Sequence, residues 1–229
     1  MFRKRADRIK GVAGSFEGRA VLIADAVAGP GPGVLNVIAR AGATVTAAAT
    51  DTALLDVAIA RIDNPPHPID TVLVERLSAS PSMRIDDLVV NPPRDDDLES
   101  CLPWIDLAST VATGMQDRGH AGSIVFVIPI ERAGPAGPVA VFLRSEMENL
   151  AARVAPNAIR VNAVACGPVG STRHGQPHGN RATPLGHVTV HPVDVGKAVW
   201  FLLNGDLSAA VTGTTLRVDR GATLVRPDW

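Results

Sequence analysis

The sequence predicts an α/β fold, a doubly wound parallel sheet of about seven strands with helices on both faces. Short runs of β-type residues alternate along the chain with longer segments of helical period, which is the pattern of parallel strands joined by crossover helices. The chain has 229 residues and 46% hydrophobic content, enough to bury one substantial core. A glycine-rich turn follows the first predicted strand, as in many sheets of this class.

The individual elements follow from these periodicities in chain order. Gly42 supplies a C-terminal cap for the first predicted helix, and Asp51 can cap the start of the second. The fourth helix carries one apolar stripe that can face the sheet. The predicted strands are residues 20–27, 44–49, 71–74, 87–90, 123–130, 159–165 and 214–218, and the predicted helices are residues 34–41, 51–62, 98–118, 139–155 and 192–203.

Charge and cysteine content exclude several classes of protein. The net charge of −1 provides no excess of basic residues for a general nucleic-acid or membrane surface, so neither partner is expected. Cys101 and Cys166 lack a zinc-type spacing and fit a reducing compartment. The sequence shows no apolar leader after its basic start and no run of 18 apolar residues. We therefore expect a cytoplasmic protein.

The chain is predicted to divide into a basic N-terminal extension, residues 1–17, and one domain, residues 18–229. The extension is either solvated or contacts an anionic partner. Within the domain, residues 167–192 form a long loop rich in glycine, proline and histidine, which predicts a lid or a disordered segment. The two H-x3-H pairs of this loop could bind zinc only at helical spacing. The loop's glycines and prolines preclude a helix, so a polar lid without metal is expected. A metal-binding or pH-sensitive lid is the alternative, and the four histidines concerned are His174, His178, His187 and His191.

The turn after the first predicted strand, residues 26–33, reads Ala-Val-Ala-Gly-Pro-Gly-Pro-Gly and opens a helix. In Rossmann-type folds a glycine-rich turn at this place lets the backbone approach a pyrophosphate, which the helix N-terminus then faces. The context favours a dinucleotide site, although one glycine pattern is weak support.

Several further segments carry a family resemblance over most of the chain. The opening strand reads Gly-Arg-Ala-Val-Leu-Ile, and a later one reads Ile-Arg-Val-Asn-Ala-Val before Gly167, Pro168 and Val169. With residues 85–89, 122–125 and 211–219, these segments resemble the short-chain dehydrogenase/reductase family collinearly from Gly18 onward. The resemblance implies a Rossmann-type domain, an NAD(P) cofactor, carbonyl chemistry and tetrameric assembly.

The cofactor positions depart from the family pattern. Asp25 stands where the first glycine of the turn would be, Ala49 replaces the acid that holds the adenosine ribose, and two prolines follow Asn91. Like charges about 4 Å apart repel by roughly 4 kcal/mol at an effective dielectric near 20, whereas a helix terminus returns about 0.3 to 1 kcal/mol. Binding of NAD(P) is therefore expected to be weak, and no high-affinity cofactor is expected. The cofactor-binding positions that remain are Gly29, Gly31, Asn91, Gly167 and Pro168.

The catalytic positions implied by the resemblance are replaced as well. Family members use tyrosine, lysine, serine and asparagine, but this chain has no tyrosine and only three lysines. The lysine position falls on Ala140, the tyrosine position on Ala136, the serine position on Pro129 and the asparagine position near Ser100. No catalytic residue is therefore assigned, and standard carbonyl reduction is not expected.

Three functions remain open after these losses. The leading expectation is a non-catalytic subunit of a homo-oligomer or of a heteromer with an active relative, because the helices that resemble the family's contact surfaces stay apolar. An atypical NAD(P)(H)-dependent oxidoreductase using replacement residues is the alternative, and a small-ligand sensor is the third. Candidate replacements are Glu131, Arg132, Arg144 and Glu146, whose other interpretation is a solvated loop and helix face.

Overall fold

Seven parallel strands form one sheet in the computed structural model, which describes residues 12–62, 64–74, 84–92, 98–130, 137–170, 183–185 and 189–224. The strands are β1 (Ala20–Ala24), β2 (Thr44–Ala49), β3 (Ile69–Leu73), β4 (Asp87–Val90), β5 (Gly122–Pro129), β6 (Ile159–Cys166) and β7 (Thr215–Val218). Their order across the sheet is β3-β2-β1-β4-β5-β6-β7, and every pairing is parallel. The predicted fold class is confirmed.

Helices cover both faces of this sheet. They are α1 (Gly31–Arg40), α2 (Thr52–Ile59), α3 (Leu102–Asp117), α4 (Pro138–Val154), α5 (Pro192–Leu203) and the short α6 (Gly205–Ser208). One buried cluster packs α1, α2 and α5 against one face of the sheet, and a second packs α3 and α4 against the other. No helix in the described ranges is both long and apolar enough to cross a bilayer.

Several predicted boundaries are wrong at the ends of elements. β1 was predicted through residue 27 but ends at Ala24, because Asp25 adopts a φ of 57° that no strand accommodates. α1 begins at Gly31 instead of residue 34, since Pro32 fits a first turn whose N–H groups need no intrahelical partner. α2 ends at Ile59 instead of residue 62, and residues 98–118 divide into a 3₁₀ turn and α3. β3 begins two residues earlier than predicted, and the other ends agree within a residue.

The packed core begins before the predicted boundary at Gly18. Val12 and Phe16 are buried in the same cluster as α1 and α5. The indole Nε1 of Trp200 donates to Ser15 Oγ at 2.8 Å, which ties this segment to α5. Apolar contacts therefore already hold residues from Val12 onward.

A polar network occupies the edge of the sheet where the strands begin. Arg19 Nη2 lies 2.6 Å from Asp87 Oδ1, joining the starts of β1 and β4. Burial raises the pKa of Asp87 to about 7, so desolvation outweighs the favourable contact with Arg19. On β6, Arg160 donates from Nη1 to the carbonyl of Leu202 at 2.6 Å and from Nη2 to that of Leu203 at 3.1 Å. This guanidinium caps the C-terminus of α5, where a positive charge is favourable.

Candidate functional site

The candidate site is the crevice at the carboxyl ends of β1 and β4. The strand order reverses at β1, and open α/β sheets bind ligands at such a switch point. β1 ends at Ala24 and β4 ends at Val90, so Asp25 and Asn91 are the next residues on the two neighbouring strands. Asn91 Nδ2 donates to the carbonyl oxygen of Asp25 at 2.8 Å, so the two residues meet at this edge.

Asp25 adopts the backbone conformation that the expected glycine would have. Its φ of 57° lies in the left-handed region, which glycine enters freely and which aspartate and asparagine tolerate better than most residues. Gly29 follows with a φ of 50°. The turn therefore keeps the course of a glycine-rich phosphate loop, with a carboxymethyl side chain at its first position.

The Asp25 carboxylate is buried within the turn that it begins. Its Oδ1 accepts a hydrogen bond from the Ala28 N–H at 3.2 Å, and 6% of the residue remains exposed. Burial raises the pKa of Asp25, while hydrogen bonds from the backbone of Ala28 and Val27 lower it, and the net direction is upward. Backbone N–H groups that could bind a phosphate therefore donate to the Asp25 carboxylate instead.

Other amides near the start of α1 are absent or already bonded. Pro30 and Pro32 have no N–H to donate. The Gly31 N–H donates to the Ala28 carbonyl at 2.8 Å, and the Gly33 N–H donates to the Pro30 carbonyl at 2.9 Å. This helix start therefore offers few free donors for an anion.

Asn91 holds the same turn through its side chain. Besides the bond to Asp25, Nδ2 donates to the carbonyl of Ala28 at 2.9 Å, and its backbone N–H donates to the carbonyl of Ala24 at 3.1 Å. Both side-chain protons are thus engaged with the loop backbone. Asn91, a predicted cofactor-binding residue, lies in the crevice but is committed to fixing the loop.

Close packing accounts for two of the predicted cofactor glycines. A Cβ on Gly31 would lie 2.6 Å from the Ala26 carbonyl carbon, a distance that backbone atoms cannot accommodate without shifting. A Cβ on Gly167 would lie 3.2 Å from Asp219 Cα, tighter than ordinary contact. Gly31 lets the start of α1 pack against the turn after β1, and Gly167 lets the end of β6 approach the end of β7. Their presence therefore does not require a cofactor.

Pro168 lies in the described part of the predicted lid. Its carbonyl accepts from the Val190 N–H at 2.8 Å, and Val169 forms a parallel bridge with Val190. The two ends of the segment 167–192 therefore pair beside β7. Residues 171–182 and 186–188 lie outside the described residues.

Apolar residues stand at the serine and lysine positions. Pro129, at the serine position, ends β5 and pairs with Cys166 of β6. Ala140, at the lysine position, is buried in the cluster beneath α4, and Val90 ends β4 in the same core. Ser100 Oγ, near the asparagine position, lies 3.9 Å from Cys101 Sγ. The side chains of Pro129, Ala140 and Val90 have no hydrogen-bond donor for a substrate oxygen. Ala136 lies outside the described residues.

The candidate replacement groups on α4 lie on its solvent-exposed side. Arg144 Nε is 3.9 Å from Glu148 Oε1, and both side chains are about half exposed. Glu146 is partly buried. This arrangement agrees with a solvated helix face. The other two candidates, Glu131 and Arg132, lie outside the described residues.

The histidines of the loop divide between described and undescribed parts of the chain. His191 caps α5, because its Nδ1 accepts from the Val193 N–H at 3.1 Å. His174, His178 and His187 lie outside the described residues. Among the described residues no group of three or more histidine, cysteine, aspartate or glutamate side chains could hold a metal ion.

Asp219 is a structural residue of this edge that the sequence analysis did not single out. Its Oδ1 accepts from the Gly221 N–H at 2.9 Å, and its Oδ2 accepts from the N–H of Thr223 at 2.9 Å and from Thr223 Oγ1 at 2.6 Å. The turn after β7 is thereby fixed against Gly167. An aspartate followed by glycine two residues later is the sequence signal of such a turn.

A dinucleotide does not fit these residues well. A pyrophosphate needs free amides and a non-negative environment at the start of the first helix. Here the Ala28 N–H bonds the Asp25 carboxylate, the Gly31 N–H bonds a carbonyl, and two prolines lack the group altogether. The backbone course suits the cofactor, whereas the charge and the donors do not.

Comparisons with known proteins agree with this fold. A family model described as "Enoyl-(Acyl carrier protein) reductase" matches residues 106–223. A curated relative, 3beta-hydroxysteroid dehydrogenase 1 of Eggerthella lenta, is 40% identical over 85 residues, which are 34% of this chain and 32% of that protein. The chain thus matches about a third of that relative's length.

Solved structures resemble the chain over nearly its whole length. A putative betaketoacyl-ACP reductase is 25% identical, with a TM-score of 0.71 over 92% of this chain and 100% of the other. A gluconate 5-dehydrogenase from Burkholderia cenocepacia, solved with NADP and tartrate, is 22% identical, with a TM-score of 0.74 over 93% of this chain and 99% of the other. The second likeness is one of fold alone.

Proposed function

This chain belongs to the short-chain dehydrogenase/reductase family, and we propose that it acts as a non-catalytic subunit, in a homo-oligomer or beside an active relative. The observation that carries the proposal is the content of the crevice. Asp25 takes up a loop amide, and Pro129 and Ala140 occupy the serine and lysine positions. A chain without tyrosine has no phenol to complete the set.

The chemistry of carbonyl reduction supports this proposal. When a hydride adds to a carbonyl carbon, the carbonyl oxygen must receive a proton, and a positioned general acid contributes about a hundred- to ten-thousandfold to such a step. A hydrogen-bond donor on the same oxygen contributes a further large factor. Pro129 has no donor, and the buried Ala140 cannot lower the pKa of a neighbouring acid. Both contributions are therefore absent at the two positions.

The cofactor proposal follows from the same crevice. We expect NAD(P) to bind weakly, because the Asp25 carboxylate lies where the pyrophosphate of a dinucleotide would approach the start of α1. The two glycines of this loop have structural roles. Gly29 adopts a positive φ in the turn, and Gly31 allows close packing at the start of α1. No high-affinity nicotinamide cofactor is expected.

The surface of α3 and α4 supports a role in assembly. These neighbouring helices lie on one face of the sheet, and they are linked by Arg153 Nη2 donating to Ser109 Oγ at 3.2 Å. Leu102 on α3 is 49% exposed, and Val141 on α4 is 44% exposed. Large apolar side chains left this open are candidates for a contact with a second subunit.

Turnover and assembly can be tested on the same purified chain. Oxidation of NADPH and NADH should stay at the buffer rate over a panel of ketones, 3-oxoacyl thioesters and steroid ketones, while an active family member turns over in parallel. Native mass spectrometry should find a dimer or larger species, alone or after co-purification from the native cell. Robust reduction of any panel member would contradict the non-catalytic role, and a lone monomer would contradict the assembly role.

A pair of matched variants locates the contact surface. Val141→Asp on α4 should dissociate the oligomer, because it places a charge in the proposed interface. Val57→Asp on α2 makes the same change at a residue that is 50% exposed on a different surface, and it should leave assembly intact. Equal behaviour of the two variants would remove α4 from the interface.

An oxidoreductase is the second candidate function. The partial match to 3beta-hydroxysteroid dehydrogenase 1 and the reductase family model favour it. In this case a residue other than tyrosine would protonate the substrate oxygen in the same crevice. Micromolar binding of NADPH together with turnover in the panel would select this function over the subunit role.

A further inference from the structure

We propose that Asp25 acts as an intramolecular anion in the phosphate loop and is the residue that makes this crevice reject phosphate-bearing nucleotides. The inference deepens the proposed function and rests on it only in treating the crevice as the family's cofactor crevice. It assigns the charge-dependent part of the lost cofactor affinity to one side chain, with the loop backbone still following the course of a phosphate-binding turn.

The loop geometry supports the first half of this assignment. Asp25 and Gly29 both have left-handed φ values, 57° and 50°, so the turn has not rearranged to accommodate a side chain. Gly31 keeps the start of α1 close to the turn after β1, as its missing Cβ would lie 2.6 Å from the Ala26 carbonyl carbon. Asn91 braces the loop with two hydrogen bonds to the carbonyls of Asp25 and Ala28. The loop backbone therefore still follows the course of a phosphate-binding turn.

The position of the carboxylate supports the second half. Asp25 Oδ1 lies 3.2 Å from the Ala28 nitrogen and accepts its proton, and the residue is buried. An incoming phosphate would have to compete for this amide and would also meet a like charge in a poorly solvated place. Both effects disappear together if the carboxylate is removed.

Two substitutions separate the charge from the hydrogen bond. Asp25→Asn keeps an oxygen that can accept from Ala28 and removes the charge, and asparagine tolerates the left-handed conformation. Asp25→Gly removes both the charge and the acceptor, and it relieves the strain of a positive φ. Asp56→Asn, on the exposed side of α2, makes the same change of charge away from the loop and is the matched control.

Isothermal titration of the full chain with NADPH, NADH and ADP tests the assignment, with thermal melting as a check of folding. Wild type and Asp56→Asn should give no micromolar binding. Asp25→Gly should bind NADPH at least about tenfold more tightly than wild type, with Asp25→Asn between them. If one Asp25 variant does not fold, the other carries the comparison.

Two outcomes would overturn the inference. One is micromolar binding of NADPH by the wild type, and the other is an Asp25→Gly or Asp25→Asn variant whose affinity equals that of the wild type. Each is distinct from failure of the proposed function. Tight binding by the wild type without turnover would contradict the role of Asp25 and the expected weak cofactor binding but not the non-catalytic role, whereas ketone reduction by the wild type would contradict the non-catalytic role.

Discussion

The two edges of the sheet carry opposite kinds of chemistry. At the edge where the strands begin, charged side chains meet partners from distant parts of the chain, as Arg19 meets Asp87 and Arg160 meets the end of α5. At the edge where the strands end, Asp25 bonds its own loop, Asn91 braces that loop, and Pro129 carries no polar group. The first edge holds the fold together, and the second is where an enzyme of this class would react.

This difference teaches that polar side chains have been kept where they stabilise packing. Arg160 closes the last carbonyls of α5, and Ser123 Oγ donates to the same Leu202 carbonyl at 3.2 Å. In the crevice glycines also have packing roles, as Gly31 does against the turn after β1. The comparison therefore predicts large effects of mutation on stability at the starting edge and only packing effects at the glycines of the crevice.

The largest expected effect comes from the titration of Asp87. Its folded pKa of about 7 exceeds the ordinary value of 3.8, so the folded state binds more protons than the unfolded state between these values. The free energy of unfolding should therefore fall as pH rises from about 4 to 7, by about 4 kcal/mol at most. Asp87→Asn should flatten this slope in denaturant unfolding measured at several pH values. A wild-type slope unchanged in Asp87→Asn would show that another group titrates there.

The titration of the neighbouring Asp86 does not overlap the pH range assigned to Asp87. Burial raises the pKa of Asp86, but hydrogen bonds from the Ala20 N–H and from Arg84 lower it by more, so the net shift is downward. A lowered carboxyl pKa contributes stability above the ordinary value and loses it as pH falls below that value. The contribution of Asp86 therefore changes below about pH 4, outside the range assigned to Asp87.

Arg160→Ala should lower the free energy of unfolding by about 3 kcal/mol. The substitution leaves the carbonyls of Leu202 and Leu203 without their charged donor and removes the bond from Nη1 to Ser208 Oγ at 2.9 Å. Urea unfolding measures the loss. Arg153→Ala, whose bond to Ser109 is exposed, is the control and should cost about 0.5 kcal/mol. Equal losses for the two arginines would contradict a special role for the starting edge.

Gly31→Ala tests whether the crevice glycines serve packing. The added Cβ would lie 2.6 Å from the Ala26 carbonyl carbon, so α1 must shift and the unfolding free energy should fall by about 2 kcal/mol. Gly205→Ala, where nothing lies within 4 Å of the new Cβ, should change stability by less than about 0.5 kcal/mol. If Gly31→Ala leaves the unfolding free energy unchanged, Gly31 has no packing role and its role is related only to the cofactor.

The smallest expected effect concerns the N-terminal segment. Trp200→Phe removes the 2.8 Å bond to Ser15 Oγ but keeps most of the apolar contact with the core, so the loss should be about 0.5 to 1 kcal/mol. Hydrogen exchange should then rise first in residues 12–17. No change in exchange there would mean that Val12 and Phe16 hold the segment without α5.

Much of the fold could be predicted from the sequence because it depends on local periodicity. The seven strands alternate with helices in order, and Asp51 caps α2 as predicted, accepting from the Ala53 N–H at 2.8 Å. The end of β1 was missed because aspartate tolerates a positive φ but does not require one, so its presence alone does not mark the end of a strand. The early start of the core at Val12 was missed because its contacts are with α1 and α5, which are distant in sequence.

The crevice was predictable in composition but not in arrangement. The sequence alone places Asp25, Pro129 and Ala140 at positions that resemble a cofactor and reaction site. It does not indicate that the Asp25 carboxylate accepts a hydrogen bond from the Ala28 N–H, or that the side-chain amide of Asn91 donates to two loop carbonyls. The first depends on the conformation of the turn, and the second on the meeting of β1 and β4, which are separated by 62 residues of chain between Ala24 and Asp87.

The most direct test of the central claim is a fluorescence titration of the unaltered, full-length chain with NADPH and with NADH. The account predicts no saturable change in nicotinamide emission at micromolar concentrations, because the loop amides are bonded internally and the Asp25 carboxylate opposes the pyrophosphate. Saturable binding with a micromolar or tighter Kd would contradict it, since the crevice would then still serve its nucleotide.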